Sequence, residues 1–312
     1  MVGADVVRVA AIDCGTNSIR LLIADVHATG LVDVVRRMEI VRLGEGVDGT
    51  GRFSDAALDR TFAACDSFAA EIARCGAERL RFVATSASRD VSNRSAFVEG
   101  VHLRLGVEPS VISGDEEAAL SFAGATLGLD GGLAPAPRLV VDIGGGSTEF
   151  VVGDAAPWSS ISVDIGCVRM TERHLAGDPP TQEQVAAAQR DIDAAVSRAI
   201  DAVGARRASS LVGLAGSVTT VAALALRLPE YDPEALQGSV ISADDVREVT
   251  ASLVTMPRSE RAALPVMHPG RVDVIAGGAM ILRSIVDAVG ADSVVVSEHD
   301  ILDGIAWGLR PA

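Results

Sequence analysis

The stretch Leu139-Val-Val-Asp142-Ile-Gly-Gly-Gly-Ser147-Thr-Glu149-Phe-Val-Val152 decides the fold. Two β-rich runs, Leu139–Val141 and Phe150–Val152, flank a turn of three consecutive glycines, which reads as a hairpin with a polar, open tip. The chain begins on the same plan. Val6–Ile12 leads into Asp13-Cys-Gly-Thr-Asn-Ser18, and Leu21–Val26 leads out. Asp13 and Asp142, Gly15 and Gly144, Ser18 and Ser147, and Asp25 and Asp154 each stand 129 positions apart. The same spacing relates Phe82-Val-Ala-Thr-Ser-Ala-Ser88 to Leu211-Val-Gly-Leu-Ala-Gly-Ser217, each read as a strand running into a helix N-terminus. A long helix precedes each: Asp55–Arg74 after Ser54, and Gln182–Ala202 after Thr181, where Thr181 and Gln184 have capping-box spacing. Matches repeated at one spacing indicate an internal duplication. A third pair, Val111–Glu117 with Val295–Asp300, lies 184 apart. The second half must then carry about 55 extra residues, expected to be helical over 230–285.

The expected architecture is α/β. Two halves, residues 1–134 and 135–312, face each other across a cleft lined by one glycine turn from each. The boundary falls in the Gly/Pro/Ala stretch 131–137, and the last helix is free to pack back on the first domain. A length of 312 residues suits two domains, each with its own core.

The formal net charge is −15, which speaks against general binding to nucleic acid or an anionic membrane. All 27 basic residues are Arg. The absence of Lys excludes the P-loop, the protein-kinase lysine and Schiff-base chemistry. Any anion is therefore held by guanidinium and backbone N–H groups. Cys14, Cys65, Cys75 and Cys167 form no C-x-x-C and no zinc pattern, so free thiols are expected. The N-terminus reads without a secretory h-region, and the uncharged run 208–226 is interrupted by Gly, Ser and Thr. The reading is cytoplasmic, with no membrane span.

The glycine turn carries the chemistry. Gly144, Gly145 and Gly146 let backbone N–H groups approach an anion, and Ser147 and Thr148 add hydroxyls. Asp142 and Glu149 bracket the turn, a suitable arrangement for Mg²⁺ or another divalent cation. Ser113 and Glu116 have capping-box spacing, so Glu116 is expected to reach back to the Ser113 amide. Glu117 then points elsewhere and is the candidate to deprotonate a water. Arg89, after a strand end, and Arg271, before the apolar run Val274–Leu282, are candidate phosphate ligands. The five His are assigned no chemistry, and Cys167 reads as a packing thiol.

Six segments together resemble one family. They are Asp13-x-Gly-Thr-Asn-Ser-x-Arg-Leu21, Ala84-Thr-Ser-Ala-x-Arg89, Ile112-Ser-Gly-x-Glu-Glu-Ala118, Asp142-Ile-Gly-Gly-Gly-Ser-Thr-Glu149, Gly213-x-Ala-Gly-Ser-x-Thr-Thr220 and Arg271-x-Asp-Val-Ile-x-Ala-Gly277. In this order they resemble the exopolyphosphatase/guanosine pentaphosphate phosphohydrolase (Ppx/GppA) family across nearly the whole chain. The resemblance implies the duplicated actin/hexokinase/Hsp70-like, ribonuclease H-like fold. It implies Glu117 as catalytic base and Asp142 and Glu149 as metal ligands. Phosphate contacts fall to Thr16, Asn17, Ser18, Arg89, the Gly144–Ser147 loop and Arg271. Longer members add C-terminal helical domains, and this chain is similar to the short form. The implied activity is Mg²⁺-dependent removal of the terminal phosphate from inorganic polyphosphate, with guanosine pentaphosphate as the alternative substrate. A non-hydrolytic binder of polyphosphate, alarmone or nucleotide is the alternative of another class. Homodimerisation is left open.

Overall fold

The computed structural model describes residues 6–85, 88, 91–129 and 132–311. Arg89 lies outside them. The chain divides into two compact units, Met1–Leu127 with Ile301–Ala312, and Gly128–Asp300.

The first unit runs β1 (Val7–Cys14), β2 (Ser18–His27), β3 (Gly30–Ile40), α1 (Val47–Thr50), α2 (Asp55–Cys75), β4 (Arg79–Ala84), α3 (Arg94–Leu105), β5 (Ser110–Val111) and α4 (Gly114–Thr126). Its sheet order is β3-β2-β1-β4-β5. The first three strands form an antiparallel meander, and β4 and β5 add in parallel. Residues 9–14 of β1 are all buried, because both faces of this central strand are covered. Ala10, Ile12 and Cys14 share a core with Phe53, Phe68, Phe82 and Phe97. Val9 and Ala11 pack on the opposite face with Leu22 and Val83. Ser54 caps α2 by accepting the Ala57 N–H, the kind of contact worth about 1 kcal/mol.

The second unit runs β6 (Arg138–Ile143), β7 (Thr148–Gly153), β8 (Pro157–Val163), α5 (Cys167–His174), α6 (Gln182–Val203), β9 (Ser210–Leu214), α7 (Ala215–Ala225), α8 (Pro233–Leu236), β10 (Val240–Ser242), α9 (Ala243–Thr255), α10 (Arg258–Ala262), α11 (Ile275–Val289) and β11 (Ser293–Ser297). Its sheet order is β10-β11-β9-β6-β7-β8. Without β10, this is the plan of the first sheet: a three-stranded meander followed by two parallel strands. The duplication read from residue spacing is thus a duplication of topology, in two α/β units. The capping box at Thr181 and Gln184 forms. The extra segment 230–285 is mainly helical and also supplies one strand, β10, which pairs antiparallel with β11.

The last helix, α12 (Ile301–Gly308), belongs to the first unit. Ile301, Leu302, Ile305 and Ala306 fill the core around Val9, Ala11 and Leu22. Asp303, fully buried, takes two hydrogen bonds from the Arg36 guanidinium of β3, at 2.6 and 3.3 Å. The other cut falls between Leu127 and Gly128 rather than between residues 134 and 135. Leu129 and Leu133 pack against Gly238 of the second unit, which draws the intervening residues to that side.

Candidate functional site

In the first unit, β1 and β2 end together at the turn 15–17. The Gly15 N–H donates to Ser18 O at 2.9 Å. The turn's carbonyls are consumed from beneath by the segment leaving β3: Gly44 N–H donates to Thr16 O at 2.9 Å, and Val41 and Arg42 N–H donate to Asn17 O at 3.0 and 2.8 Å. Thr16 and Asn17 are exposed and Ser18 half-buried. Asp13, only 5% exposed, faces Arg20 across the hairpin, which donates to Asp13 Oδ2 from Nη2 at 2.6 Å and Nε at 3.0 Å. Thr85 N–H bonds Cys14 O, and Ile112 N–H bonds Ala84 O. These two bonds bring the start of α4 to the same end of the sheet as the turn, the C-terminal end of the parallel strands β1, β4 and β5.

Ser113 caps α4, accepting the Glu116 N–H at 3.1 Å. The expected capping box is only half formed. Glu116 does not reach back to the Ser113 amide; its Oε1 accepts from Arg81 Nη2 at 2.6 Å, an ion pair that outcompetes a neutral amide. Glu117 is half-buried in the first helical turn, with its N–H on Ser113 O.

In the second unit the glycine turn closes like its counterpart, Gly144 N–H to Ser147 O at 3.0 Å. Its carbonyls are again taken from beneath, here by the start of α5. Cys167 N–H donates to Gly144 O, Val168 and Arg169 N–H to Gly145 O, and Arg169 Nε to Gly146 O. Helix and turn therefore satisfy each other: orphan N–H groups of the helix end meet carbonyls of a loop. This needs very close approach. A Cβ on Gly166 would stand 2.3 Å from Gly145 O. Among the described residues, the N–H groups of Gly145 and Gly146 have no acceptor, and both glycines are exposed. The result is an outward-facing pair of donors on a braced loop, a ready anion cradle.

Asp142 and Glu149 are direct partners across β6 and β7. Ser147 Oγ and Ser162 Oγ both donate to Glu149 Oε1, at 2.6 and 2.7 Å. Among the described residues there is no cluster of three or more His, Cys, Asp or Glu. Two carboxylates beside a phosphate cradle suit Mg²⁺, which usually takes one or two carboxylates, substrate phosphate oxygens and water.

Ala215, where β9 passes into α7, has φ +68°, a left-handed conformation rare for a residue with a side chain. Next to it, Gly216 lies under the Arg271 guanidinium; a Cβ there would come within 2.4 Å of Cζ. Arg271 Nη1 donates to Thr220 Oγ1 at 3.0 Å. Its Cζ lies over the Tyr231 ring, 5.7 Å from the centroid. Arg271, Tyr231, Pro265, Val266, Met267 and His268 line a cavity of about 220 Å³. Cys167 contacts this network. Burial pushes its thiol up, partly offset by a hydrogen bond with Ser217 and by the Arg271 charge. A resting thiol is therefore neutral, in keeping with packing.

The first unit thus places Thr16, Asn17, Ser18 and Glu117 at one end of its sheet. The second assembles Asp142, Gly144, Gly145, Gly146, Ser147 and Glu149 around one hairpin, and sets the Arg271 guanidinium against the start of α7. The sequence reading had not singled out Arg20, Ser162, Gly166 or Tyr231.

A model of the Ppx/GppA phosphatase family matches residues 22–311, and this chain belongs to that family. It is 50% identical to Exopolyphosphatase 2 of Mycobacterium tuberculosis, covering 97% of this chain and 98% of that one. A solved exopolyphosphatase-like protein is 46% identical, with a TM-score of 0.82 over 97% of this chain and 98% of its own. The crystal structure of the Aquifex aeolicus Ppx/GppA family member is 29% identical, with a TM-score of 0.87 and 97% of both chains covered. Among the described residues, no helix is long and apolar enough to cross a membrane.

Proposed function

We propose that this chain is a Mg²⁺-dependent exopolyphosphatase that removes the terminal phosphate of inorganic polyphosphate as orthophosphate. The observation that carries the reading is the β6–β7 hairpin: two glycine N–H groups at its tip that meet no acceptor among the described residues, and the paired carboxylates Asp142 and Glu149 at its base. The name of the Mycobacterium tuberculosis relative supports the substrate class.

In this reading the glycine turn and Arg271 hold phosphoryl oxygens, Asn17 and Ser18 hold others, and Asp142 and Glu149 hold the cation. The cation, when bound, neutralises charge on the phosphate oxygens. Phosphoryl transfer requires mainly positioning and electrostatic stabilisation. Glu117 orients a water and takes its proton as the water oxygen bonds the terminal phosphorus. The bridging oxygen leaves on the shortened chain. The retained acids Glu117, Asp142 and Glu149 favour hydrolysis over a purely binding role.

The test is orthophosphate release with Mg²⁺ from polyphosphate, guanosine pentaphosphate and ATP in parallel. The reading expects polyphosphate to give the highest kcat/KM. Guanosine pentaphosphate leading would give the family's second activity, and release from none would indicate a binder.

A further inference from the structure

We propose that Tyr231 is a positioning residue that holds the Arg271 guanidinium in place for the substrate. This rests on the reading of Arg271 as a phosphate ligand.

Arg271 needs such a holder. It ends the short turn Pro269–Arg271, outside any long helix. An arginine side chain has several rotatable bonds, and a fork that wanders cannot present two N–H groups to one phosphate. Here three surfaces confine it. Gly216 gives a flat floor, Thr220 Oγ1 takes one N–H at 3.0 Å, and the Tyr231 ring supplies a π face on another side.

The ring is itself anchored at its far end. Tyr231 Oη lies 2.6 Å from Glu298 Oε1 and 2.7 Å from Thr219 Oγ1. A carboxylate only accepts, so the phenol donates its proton to Glu298 and accepts from Thr219. Burial and Glu298 both push the phenol's pKa up, which keeps that proton on the oxygen. The anchors come from separate elements: Thr219 and Thr220 from α7, and Glu298 from the residue that follows β11. Tyr231 thereby ties the arginine to the sheet's parallel core. Arg271 also lines the 220 Å³ cavity, so the fork is confined without being sealed off. Tyr231 is the only tyrosine in the chain, so its replacement can be read without interference from another phenol.

The test is a double-mutant cycle with tripolyphosphate and Mg²⁺, reading KM, kcat and thermal midpoint for the wild type, Tyr231→Phe, Tyr231→Ala, Arg271→Gln and Tyr231→Ala/Arg271→Gln. Loss of a cation–π holder predicts a KM raised about five- to tenfold in Tyr231→Ala. The expected rise is smaller in Tyr231→Phe, which keeps the ring and loses both anchors, with kcat within about twofold. In the Arg271→Gln background, Tyr231→Ala should add nothing further. The same KM penalty in both backgrounds, or an unchanged KM in a folded Tyr231 variant while Arg271→Gln raises it, overturns the positioning role alone. Should Tyr231→Ala fail to fold, Tyr231→Phe with and without Arg271→Gln completes the cycle. An unchanged KM in Arg271→Gln itself overturns the reading of Arg271 as a phosphate ligand, and the inference with it.

Discussion

Gly166 and the Gly145 carbonyl are so close that a side chain at position 166 would put its Cβ 2.3 Å from Gly145 O and 2.4 Å from its carbonyl carbon. Both contacts are backbone, so neither can swing aside. Gly166→Ala must push the glycine turn away from α5 and break the hydrogen bonds that Cys167 and Val168 make to Gly144 and Gly145. Overpacking of this kind costs about 1–3 kcal/mol. Urea unfolding should show that loss, and orthophosphate release should fall more than stability alone explains, because the displaced atoms carry the proposed anion cradle.

Glu116 and Glu117 should separate cleanly. Glu117→Gln removes the candidate base and should lower kcat by about 10²–10⁴-fold with little change in substrate affinity. Glu116→Gln breaks an exposed ion pair with Arg81, worth at most about 1 kcal/mol, and should leave kcat nearly unchanged. Steady-state kinetics on both variants checks this. A Glu117→Gln enzyme keeping half the wild-type rate would remove Glu117 from the mechanism.

Asp142 and Glu149 should report through the cation. Asp142→Asn takes away an anionic oxygen and should raise the Mg²⁺ concentration needed for half-maximal rate. Ser162→Ala frees one of the two hydroxyl contacts on Glu149 Oε1 and should raise it less. Mg²⁺ titrations of activity, with direct cation binding by calorimetry, measure both. Activity undiminished in excess EDTA would dismiss the metal role.

Much of this was legible in the chain itself. The paired motifs at one spacing gave both hairpins, the strand-to-helix turn at Leu214–Ala215 and the long helices, because glycine turns and caps demand specific residues at fixed positions; the matching turn after Ala84 lies largely outside the described residues. The third strand of each meander was not. Gly30–Ile40 carries Asp33, Arg36, Arg37 and Glu39, and these charges interrupt the apolar run by which β1 and β2 are read. The partner of Glu116 was equally invisible, since Arg81 lies on β4 and only tertiary structure brings it within 2.6 Å. Gly166 and Tyr231 carry no local signature: what each does depends on a neighbour more than ten residues away in sequence.

Substrate length should follow from charge. With a net charge of −15 and no Lys, the protein's general surface repels polyphosphate, and this acts within a Debye length of about 8 Å at physiological salt. Each charge-assisted contact to the first phosphates is worth about 1.5–3 kcal/mol, and further phosphates add little or oppose binding. kcat/KM should be flat or falling along a chain-length series, with a shallow salt dependence. A steady rise into very long chains would require a basic track.

The central claim is that water attacks the terminal phosphorus of a polyphosphate chain. Tripolyphosphate hydrolysed with Mg²⁺ in water labelled with heavy oxygen, and analysed by mass spectrometry, tests it most directly. The account predicts label in the released orthophosphate, none in the remaining diphosphate, and almost no release by Glu117→Gln. Label in the diphosphate, or no hydrolysis by the wild-type protein, would contradict it.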